Sequence, residues 1–211
     1  MTDDGRQPTQ RRQILDAAQS ALLDLGLRNT TLAEVARRAG ASRMTLYRRY
    51  PDIDALLTEV LGRQLIRVVR RNAGLQELAG GGRSARDLLV TGTVEVVRAF
   101  HGDLLMHKIL ESDAEFLLPY MTREFGPLQH YALDLLSMRL EQGHEDTSIR
   151  HGSVALQART VLLTAQSFVI SARAAGSVPM DRLLEELREM LDAYLRPSAD
   201  GAQAPDPEPA V

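Results

Sequence analysis

Residues 31–50 read TLAEVARRAGASRMTLYRRY, and this stretch decides the fold of the front of the chain. Its first half shows helical periodicity over residues 32–39. Thr31 precedes that pattern and Glu34 follows Thr31 by three residues, which is the spacing of a capping box. The side chains of such a pair satisfy backbone amides that a helix start leaves without partners. The sequence therefore predicts a short helix that begins directly after Thr31.

The second half of the stretch predicts a turn and another short helix. Gly40 and Ala41 are typical of a tight corner, because glycine readily adopts the left-handed conformation that ends a helix. Ser42 can cap a helix over residues 43–50. Two short helices around such a turn form the helix–turn–helix pattern, in which the second helix enters the major groove of DNA. Residues 31–50 have that layout.

The second short helix has one apolar face and one face suited to DNA. Leu46 and Tyr50 are four residues apart and are predicted to point inward. Arg43 is the best candidate for reading a base, since a guanidinium can bond O6 and N7 of guanine together. Met44 could touch a thymine methyl group, and the hydroxyl and charged groups suit phosphate contacts. The residues predicted to contact DNA are Thr31, Ser42, Arg43, Met44, Thr45, Tyr47 and Arg48.

Helical periodicity extends in both directions from this stretch, and no convincing alternation of the strand type is found. A first helix is expected over about residues 10–25 and a fourth from about residue 53 to about residue 71. The most apolar helical patterns cover residues 153–175 and 181–195. The predicted fold class is all-α.

The charge of the chain is unevenly distributed along its length. The formal net charge is −3, but residues 1–71 carry a net charge of +5 and residues 72–211 a net charge of −8. A basic front part suggests a polyanionic partner for that part alone. The alternative is a chance fluctuation of surface charge. Double-stranded DNA is the predicted partner of the basic part.

Composition excludes several other classes of protein. Hydrophobic residues at 44% and charged residues at 25% match soluble globular usage. The absence of cysteine excludes disulfides, Cys-ligated zinc and thiol catalysis. The longest uncharged run of the most apolar stretch, Thr160–Ala172, has 13 residues, short of a membrane span. No export signal is visible, so we expect a cytoplasmic protein without a membrane partner, in which residues 153–175 form a buried core helix.

The N-terminal part resembles the tetracycline-repressor (TetR) family of bacterial one-component regulators. The resemblance covers residues 11–60 and rests on segments such as Val35–Ser42, Thr45–Tyr50 and Leu56-Leu57, which match the family pattern in order and spacing. One departure is Ile53, where the family often has a lysine that contacts phosphate. A phosphate contact is lost there unless a backbone amide of the same helix start replaces it.

The resemblance implies a helix–turn–helix domain followed by a larger helical ligand-binding and dimerisation domain. We expect a flexible arm at residues 1–9, the DNA-binding domain at 10–52, the regulatory domain at 53–196 and a disordered tail at 197–211. In the family the last two long helices pair with a second subunit. Their apolarity supports a homodimer independently, although an intramolecular core remains the alternative. The predicted dimer residues are Val161, Phe168, Leu184, Leu187, Leu191 and Tyr194.

A sensor pocket is expected among the helices between residues 84 and 170. For each candidate taken singly, ordinary core packing is the alternative. His107 and Glu111 are four residues apart, a spacing at which two side chains can bind one metal ion, but isolated histidines are more often surface residues, so neither a metal nor a cofactor is predicted. The candidate ligand residues are Phe100, Leu104, His107, Phe116, Tyr120, Phe125, Tyr131, Met138 and Phe168.

The predicted function is that of a DNA-binding transcriptional regulator. Its expected form is a homodimeric repressor that leaves a pseudo-palindromic operator when a small, largely apolar effector binds. An enzyme is the first rival, but no glycine-rich phosphate loop, nucleophile elbow or H-E-x-x-H zinc motif is found. A helical protein-interaction module without DNA binding is the second.

Overall fold

The protein is represented by a computed structural model that describes residues 6–78, 82–112 and 126–197. Within these ranges all regular structure is helical, which confirms the all-α class. The predicted tail at 197–211 lies outside the described residues, except for Pro197. The helices are α1 (Arg6–Leu25), α2 (Leu32–Ala39), α3 (Arg43–Arg49), α4 (Ile53–Leu78), α5 (Ala85–Gly102), α6 (Leu104–Ser112), α7 (Pro127–Glu145), α8 (Val154–Ser171), a 3-10 turn (Ala172–Ala175) and α9 (Met180–Leu195).

Helix α1 begins earlier than its sequence pattern indicates. It starts at Arg6, so residues 6–9 of the expected flexible arm are helical. Pro8 lies in the first turn, where backbone N–H groups have no intrahelical acceptor. Proline has no N–H group, so its presence there costs the helix no hydrogen bond. The predicted start at about residue 10 was four residues too late, because residues 6–9 are polar and carry no apolar periodicity that would mark them as helical.

The caps around the predicted turn are confirmed. The Thr31 hydroxyl accepts the amide of Glu34 at 3.2 Å, and the Ser42 hydroxyl accepts the amide of Thr45 at 3.1 Å. Gly40 ends α2 with φ of 62°, a conformation in which a side chain would be strained. The Gly40–Ala41 corner therefore has the local chemistry that the sequence predicts.

The chain forms two compact units, divided within α4. One comprises Met1–Arg67 and Gly102–Glu124, and the other Val68–His101 and Phe125–Val211. The first unit is thus larger than the predicted domain at 10–52. Polar contacts explain the difference: Arg63 of α4 lies 2.7 Å from Asp16 of α1, and the Lys108 ammonium of α6 donates to the backbone carbonyl of Leu23. Through Arg63 and Lys108, helices α4 and α6 therefore contact α1.

The core of the second unit is formed by one face each of α5, α7, α8 and α9, together with Ile149 from the loop after α7. Helix α8 contributes only four buried residues, so the expectation of a fully buried helix was wrong. The segment Val154–Ala175 is long and apolar enough to cross a membrane by length and composition alone, and 22% of its most apolar window is buried. Its remaining apolar surface is uncovered in a single chain. The core consists of Leu89, Val90, Val94, Val97, Leu140, Ile149, Ala158, Val161, Leu184, Leu187, Leu191 and Leu195.

The loop after α7 folds back over the end of that helix. The amide of Ile149 donates to the carbonyl of Gly143 at 2.9 Å, and the Ile149 side chain is buried against the helix. A Cβ atom built on Gly143 would lie 2.3 Å from Cδ1 and 2.9 Å from Cβ of Ile149. Cβ of Ile149 is attached directly to the backbone, so it cannot move away by a simple rotation of the side chain. The absence of a side chain at Gly143 is therefore a packing requirement.

Replacing Gly143 with alanine is expected to destabilise the protein. The free energy of unfolding should fall by about 1–3 kcal/mol, as for other overpacked sites, despite the higher helix propensity of alanine. Gly62→Ala is the matched control, because Gly62 lies inside α4 and a Cβ there meets nothing within 4 Å. That control should gain about 0.5–1 kcal/mol in chemical denaturation. Equal stabilities for the two variants would contradict the packing argument.

Candidate functional site

Helix α3 is held in place by its apolar face. Leu46 is 0% exposed and Tyr50 is 3% exposed, which confirms that both side chains point inward. The hydroxyls of Ser42 and Thr45 are 2.8 Å apart and share a hydrogen bond at the start of the helix. These contacts fix the rotation of α3, so the direction of its other side chains is determined.

The opposite face of α3 is exposed, basic and partly apolar. Met44 is 76% exposed and Tyr47 is 53% exposed, and the side chains of Arg43 and Arg48 also face solvent. Helix α3 contains three arginines and no acidic residue. Guanidinium, thioether and phenol groups on one exposed helical face match the chemistry of base edges and phosphates.

The start of α2 lies beside the start of α3. Thr31 and Arg43 line one open groove of about 420 Å³, together with Glu34 and Arg37. The Thr31 hydroxyl caps α2 while remaining exposed. The structure therefore brings the seven residues predicted to contact DNA onto the α2–α3 pair, with Ser42 and Thr45 acting also as helix caps.

Glu34 does not complete a capping box by bonding back to Thr31; its carboxylate is engaged by two arginines. Arg37 donates to it at 2.9 and 2.6 Å, and Arg38 at 2.7 Å. The hydrogen bonds from these guanidinium groups lower the pKa of Glu34 to about 2. The carboxylate thus stays ionised at neutral pH, and it neutralises arginines of α2 rather than adding negative charge to α3.

A buried tyrosine joins the end of α3 to α4 and α1. The Tyr50 hydroxyl donates to Glu59 Oε2 at 2.9 Å, and Arg11 Nε donates to the other carboxylate oxygen at 2.6 Å. Burial, followed by the hydrogen bond to Glu59, raises the pKa of Tyr50 to about 12. Because the raised pKa favours the protonated phenol, this contact stabilises the fold below about pH 10.

The stabilisation by Tyr50 is expected to disappear as the pH rises from about 10 to about 12, where the folded phenol ionises. In an ultraviolet titration Tyr50 should give an ionisation step near pH 12. Tyr50→Phe should remove that late step and lower stability by about 1–2 kcal/mol at neutral pH. Tyr47→Phe, on the exposed face of the same helix, should leave the late step in place. Persistence of the step in Tyr50→Phe would contradict the assignment.

Helix α4 begins at Ile53, the position where the family often has a lysine that contacts phosphate. Asp52 Oδ1 accepts the amide of Ala55 at 2.8 Å and so caps the helix. The amide of Ala55 at this helix start is thus already bonded, and the residue that caps it carries a negative charge. We expect this acidic cap to disfavour a phosphate contact here.

The second unit contains a cavity of about 120 Å³ lined by α4, α5, α7 and α8. Of the predicted ligand residues, Met138 lines it. Phe100 is buried, Tyr131 lies under the guanidinium of Arg70 at 5.1 Å, and Phe168 packs on the core. The other candidates are placed elsewhere: Leu104 and His107 lie on the exposed face of α6 in the first unit, and Phe116, Tyr120 and Phe125 lie outside the described residues.

The pairing of His107 and Glu111 follows from their spacing on α6. His107 Nε2 lies 3.0 Å from Glu111 Oε1, and both side chains are exposed. Within the part of the chain that the structure describes, no three metal-ligating side chains form a cluster. Their proximity is that of an ordinary surface pair four residues apart on a helix.

The predicted dimer residues are placed differently from expectation. Val161, Leu184, Leu187 and Leu191 are buried in the core of their own chain, so they cannot contact a partner in this conformation. Phe168 and Tyr194 pack against the same core. The large apolar side chains that remain exposed on α8 and α9 are others, which were not among the predicted dimer residues: Leu156 (60% exposed), Leu163 (54%) and Met190 (46%). The seven-residue spacing of Leu156 and Leu163 puts them on one face of α8.

The fold and the exposed basic helix define a helix–turn–helix DNA-binding protein. Residues 14–60 match the family described as bacterial regulatory proteins of the tetR family. An uncharacterised HTH-type transcriptional regulator of Mycobacterium bovis is 36% identical over 184 residues, covering 87% of this chain and 93% of that protein.

Two solved structures share the fold at low sequence identity. The transcriptional repressor QsdR of R. erythropolis has a TM-score of 0.66 and 15% identity, over 93% of this chain and 100% of that one. RolR, solved in complex with resorcinol, has a TM-score of 0.66 and 14% identity, over 92% and 90%. The chain belongs to the TetR family, and it is a DNA-binding transcriptional regulator.

Proposed function

We propose that this regulator is a cytoplasmic, non-catalytic homodimeric repressor that leaves its operator when a small, largely apolar molecule enters the cavity of the second unit. The observation that carries the proposal is the exposed face of α3, where Arg43, Met44, Tyr47 and Arg48 are presented while Leu46 is buried. The effector part is supported by the apolar cavity and by RolR, whose structure contains resorcinol.

The homodimer is supported by the uncovered apolar side chains of α8 and α9. Leu156, Leu163 and Met190 would be buried by a second copy, and each fully buried side chain of this kind contributes about 1.5–3 kcal/mol. A two-fold dimer presents two α3 helices to DNA. Its operator is then a pseudo-palindrome with half-sites about 34–36 Å apart, or a multiple of that distance. This interface also accounts for the apolarity of α8 without a membrane.

Release of DNA is proposed to be a shift between two conformations of the dimer. An effector that binds better to the conformation with misplaced α3 helices lowers operator affinity, whereas one that binds both equally has no effect. Helix α4 contributes residues to both compact units and to the lining of the cavity through Val69. It is therefore the proposed connection between effector and DNA.

Footprinting on DNA flanking the regulator's own gene, at stated salt, tests the proposal. Arg43→Ala should weaken operator binding by about 5- to 150-fold and relax the preference at one base pair, since a bidentate contact to guanine is lost. Arg48→Ala is the comparison: it should weaken binding to all sequences alike and reduce the salt dependence, as expected for a phosphate contact. Unchanged binding in both variants would favour the protein-interaction module instead.

A further inference from the structure

The end of α1 is capped by a side chain from a helix that is distant in sequence. Helix α1 ends at Leu25, and the last four carbonyls of a helix lack intrahelical donors. The Leu22 carbonyl accepts the amide of Gly26 at 3.0 Å. The Leu23 carbonyl accepts from the ammonium of Lys108 in α6, 85 residues further along the chain. A cation at this end of a helix also interacts favourably with the helix dipole.

The position of Lys108 is fixed by packing as well as by this hydrogen bond. Leu105, Met106 and Ile109 are buried, so the apolar face of α6 is held in the first unit. Lys108 itself is half-buried. A Cβ atom built on Gly26, which has φ of 81°, would lie 4.0 Å from Lys108 Cε. The stem of the lysine therefore runs along the turn that follows α1, with its ammonium at the helix end.

The same end of α1 is also bonded to α2. Asp24, which follows Leu23, accepts from the guanidinium of Arg38 in α2. That guanidinium also donates to Ser20 of α1 at 3.2 Å and to Glu34 of α2 at 2.7 Å. Consecutive polar contacts thus join α6 to the end of α1, and the end of α1 to α2.

These contacts lead to the part of α2 that is predicted to meet DNA. Glu34 lies in the first turn of α2, and its amide donates to the hydroxyl of Thr31, a predicted phosphate contact. Hydrogen bonds weaken steeply when the donor–acceptor distance leaves the range of about 2.7–3.2 Å. A small displacement of the end of α1 would be carried to this helix start by Arg38. The placement of α1 is therefore a condition for good contacts with DNA.

We propose that Lys108 is a positioning residue for operator binding, which holds the end of α1, and through Arg38 the start of α2, where the DNA contacts need them. Lys108 acts through these helices and not by contacting phosphate itself. The proposal requires only that α2 and α3 bind DNA, so it is independent of the effector and of the oligomeric state. It also gives α6 a role in the DNA-binding unit.

The test compares variants of the full chain on one DNA duplex, selected from random sequences by the wild-type protein. Lys108→Met keeps an apolar stem of similar length but removes the ammonium. It should weaken binding by about 3- to 30-fold, a part of the value of a hydrogen bond from a charged donor. Lys108→Arg keeps a cation at the helix end and should recover most of the affinity. Fluorescence anisotropy measures both.

The salt dependence separates positioning from a direct contact. The slope of affinity against salt should be the same for Lys108→Met and wild type, whereas a lost phosphate contact would reduce it by about one. Arg67→Met is the matched control, because Arg67 is exposed on α4 and donates to Gln64 of its own helix at 3.2 Å. It removes a cation from the same unit and should change the affinity by less than about twofold.

A double-mutant cycle tests the path through α2. Arg38→Met should weaken binding by itself, and the double variant with Lys108→Met should lose less than the product of the two single losses, because both act on the end of α1. If Lys108→Met does not fold, Lys108→Gln, which keeps an N–H donor without the charge, replaces it. Unchanged affinity in the Lys108 variants, a slope reduced by one, an equal loss in Arg67→Met, or independent effects in the cycle would each overturn the proposal.

Discussion

Leu163→Glu is expected to convert the proposed homodimer into monomers and to weaken operator binding by roughly 100- to 10,000-fold, because the second half-site no longer adds to the affinity of the first. Leu163 lies on the exposed face of α8 with Leu156, and a carboxylate there would lose its hydration in a two-fold interface. Analytical ultracentrifugation and footprinting measure the two effects.

A matched control separates this effect from a general effect of added charge. Leu104→Glu makes the same substitution at a residue of α6 that is 73% exposed. It should leave the protein dimeric and its operator affinity unchanged. Dimers of normal stability in Leu163→Glu, at concentrations where wild type is dimeric, would show that the exposed face of α8 is not the interface.

Leu46→Ala is expected to have the largest effect on stability in the DNA-binding helices. Leu46 is fully buried at the centre of α3, and removing its side chain should lower the free energy of unfolding by about 2–5 kcal/mol. DNA binding should be lost with it, since the direction of the exposed face of α3 depends on that contact. Thermal unfolding followed by circular dichroism measures the change.

Met44→Ala is the control on the same helix. Met44 is mostly exposed, so its truncation should alter the unfolding free energy by no more than about 0.5 kcal/mol. Any effect on operator affinity would then come from a lost contact with a base. Similar losses of stability in both variants would mean that the two faces of α3 are assigned wrongly.

The DNA-binding helices could be predicted closely because their signals are local. The hydroxyls of Thr31 and Ser42 bond to amides three residues away, and Gly40 has the left-handed conformation that a tight corner requires. The spacing of Leu46 and Tyr50 is enough to assign the two faces of α3. The start of α1 was not predicted because it depends on polar residues, and the partners of Glu34 were not predicted because its carboxylate can accept from several competing donors.

Ligand and dimer residues could not be predicted in the same way. The identity of an apolar residue does not reveal whether its own chain, a ligand or a second subunit buries it. Helix α8 is apolar nearly all round, and periodicity cannot say that Val161 is buried in its own chain while Leu163 is exposed. Gly92, Ala132 and Ala165 are far apart in sequence, so their common cavity exists only after the helices pack.

The sequence by itself determined the all-α class, the capped helix pair of residues 31–50 and the membership in a family of DNA-binding regulators, since each depends on spacings within a few residues or on segments that match in order. Only the tertiary structure decided which faces of α8 and α9 remain uncovered and which residues surround the cavity. Burial is a property of the contacts between distant segments, and those contacts are set by packing rather than by local preference.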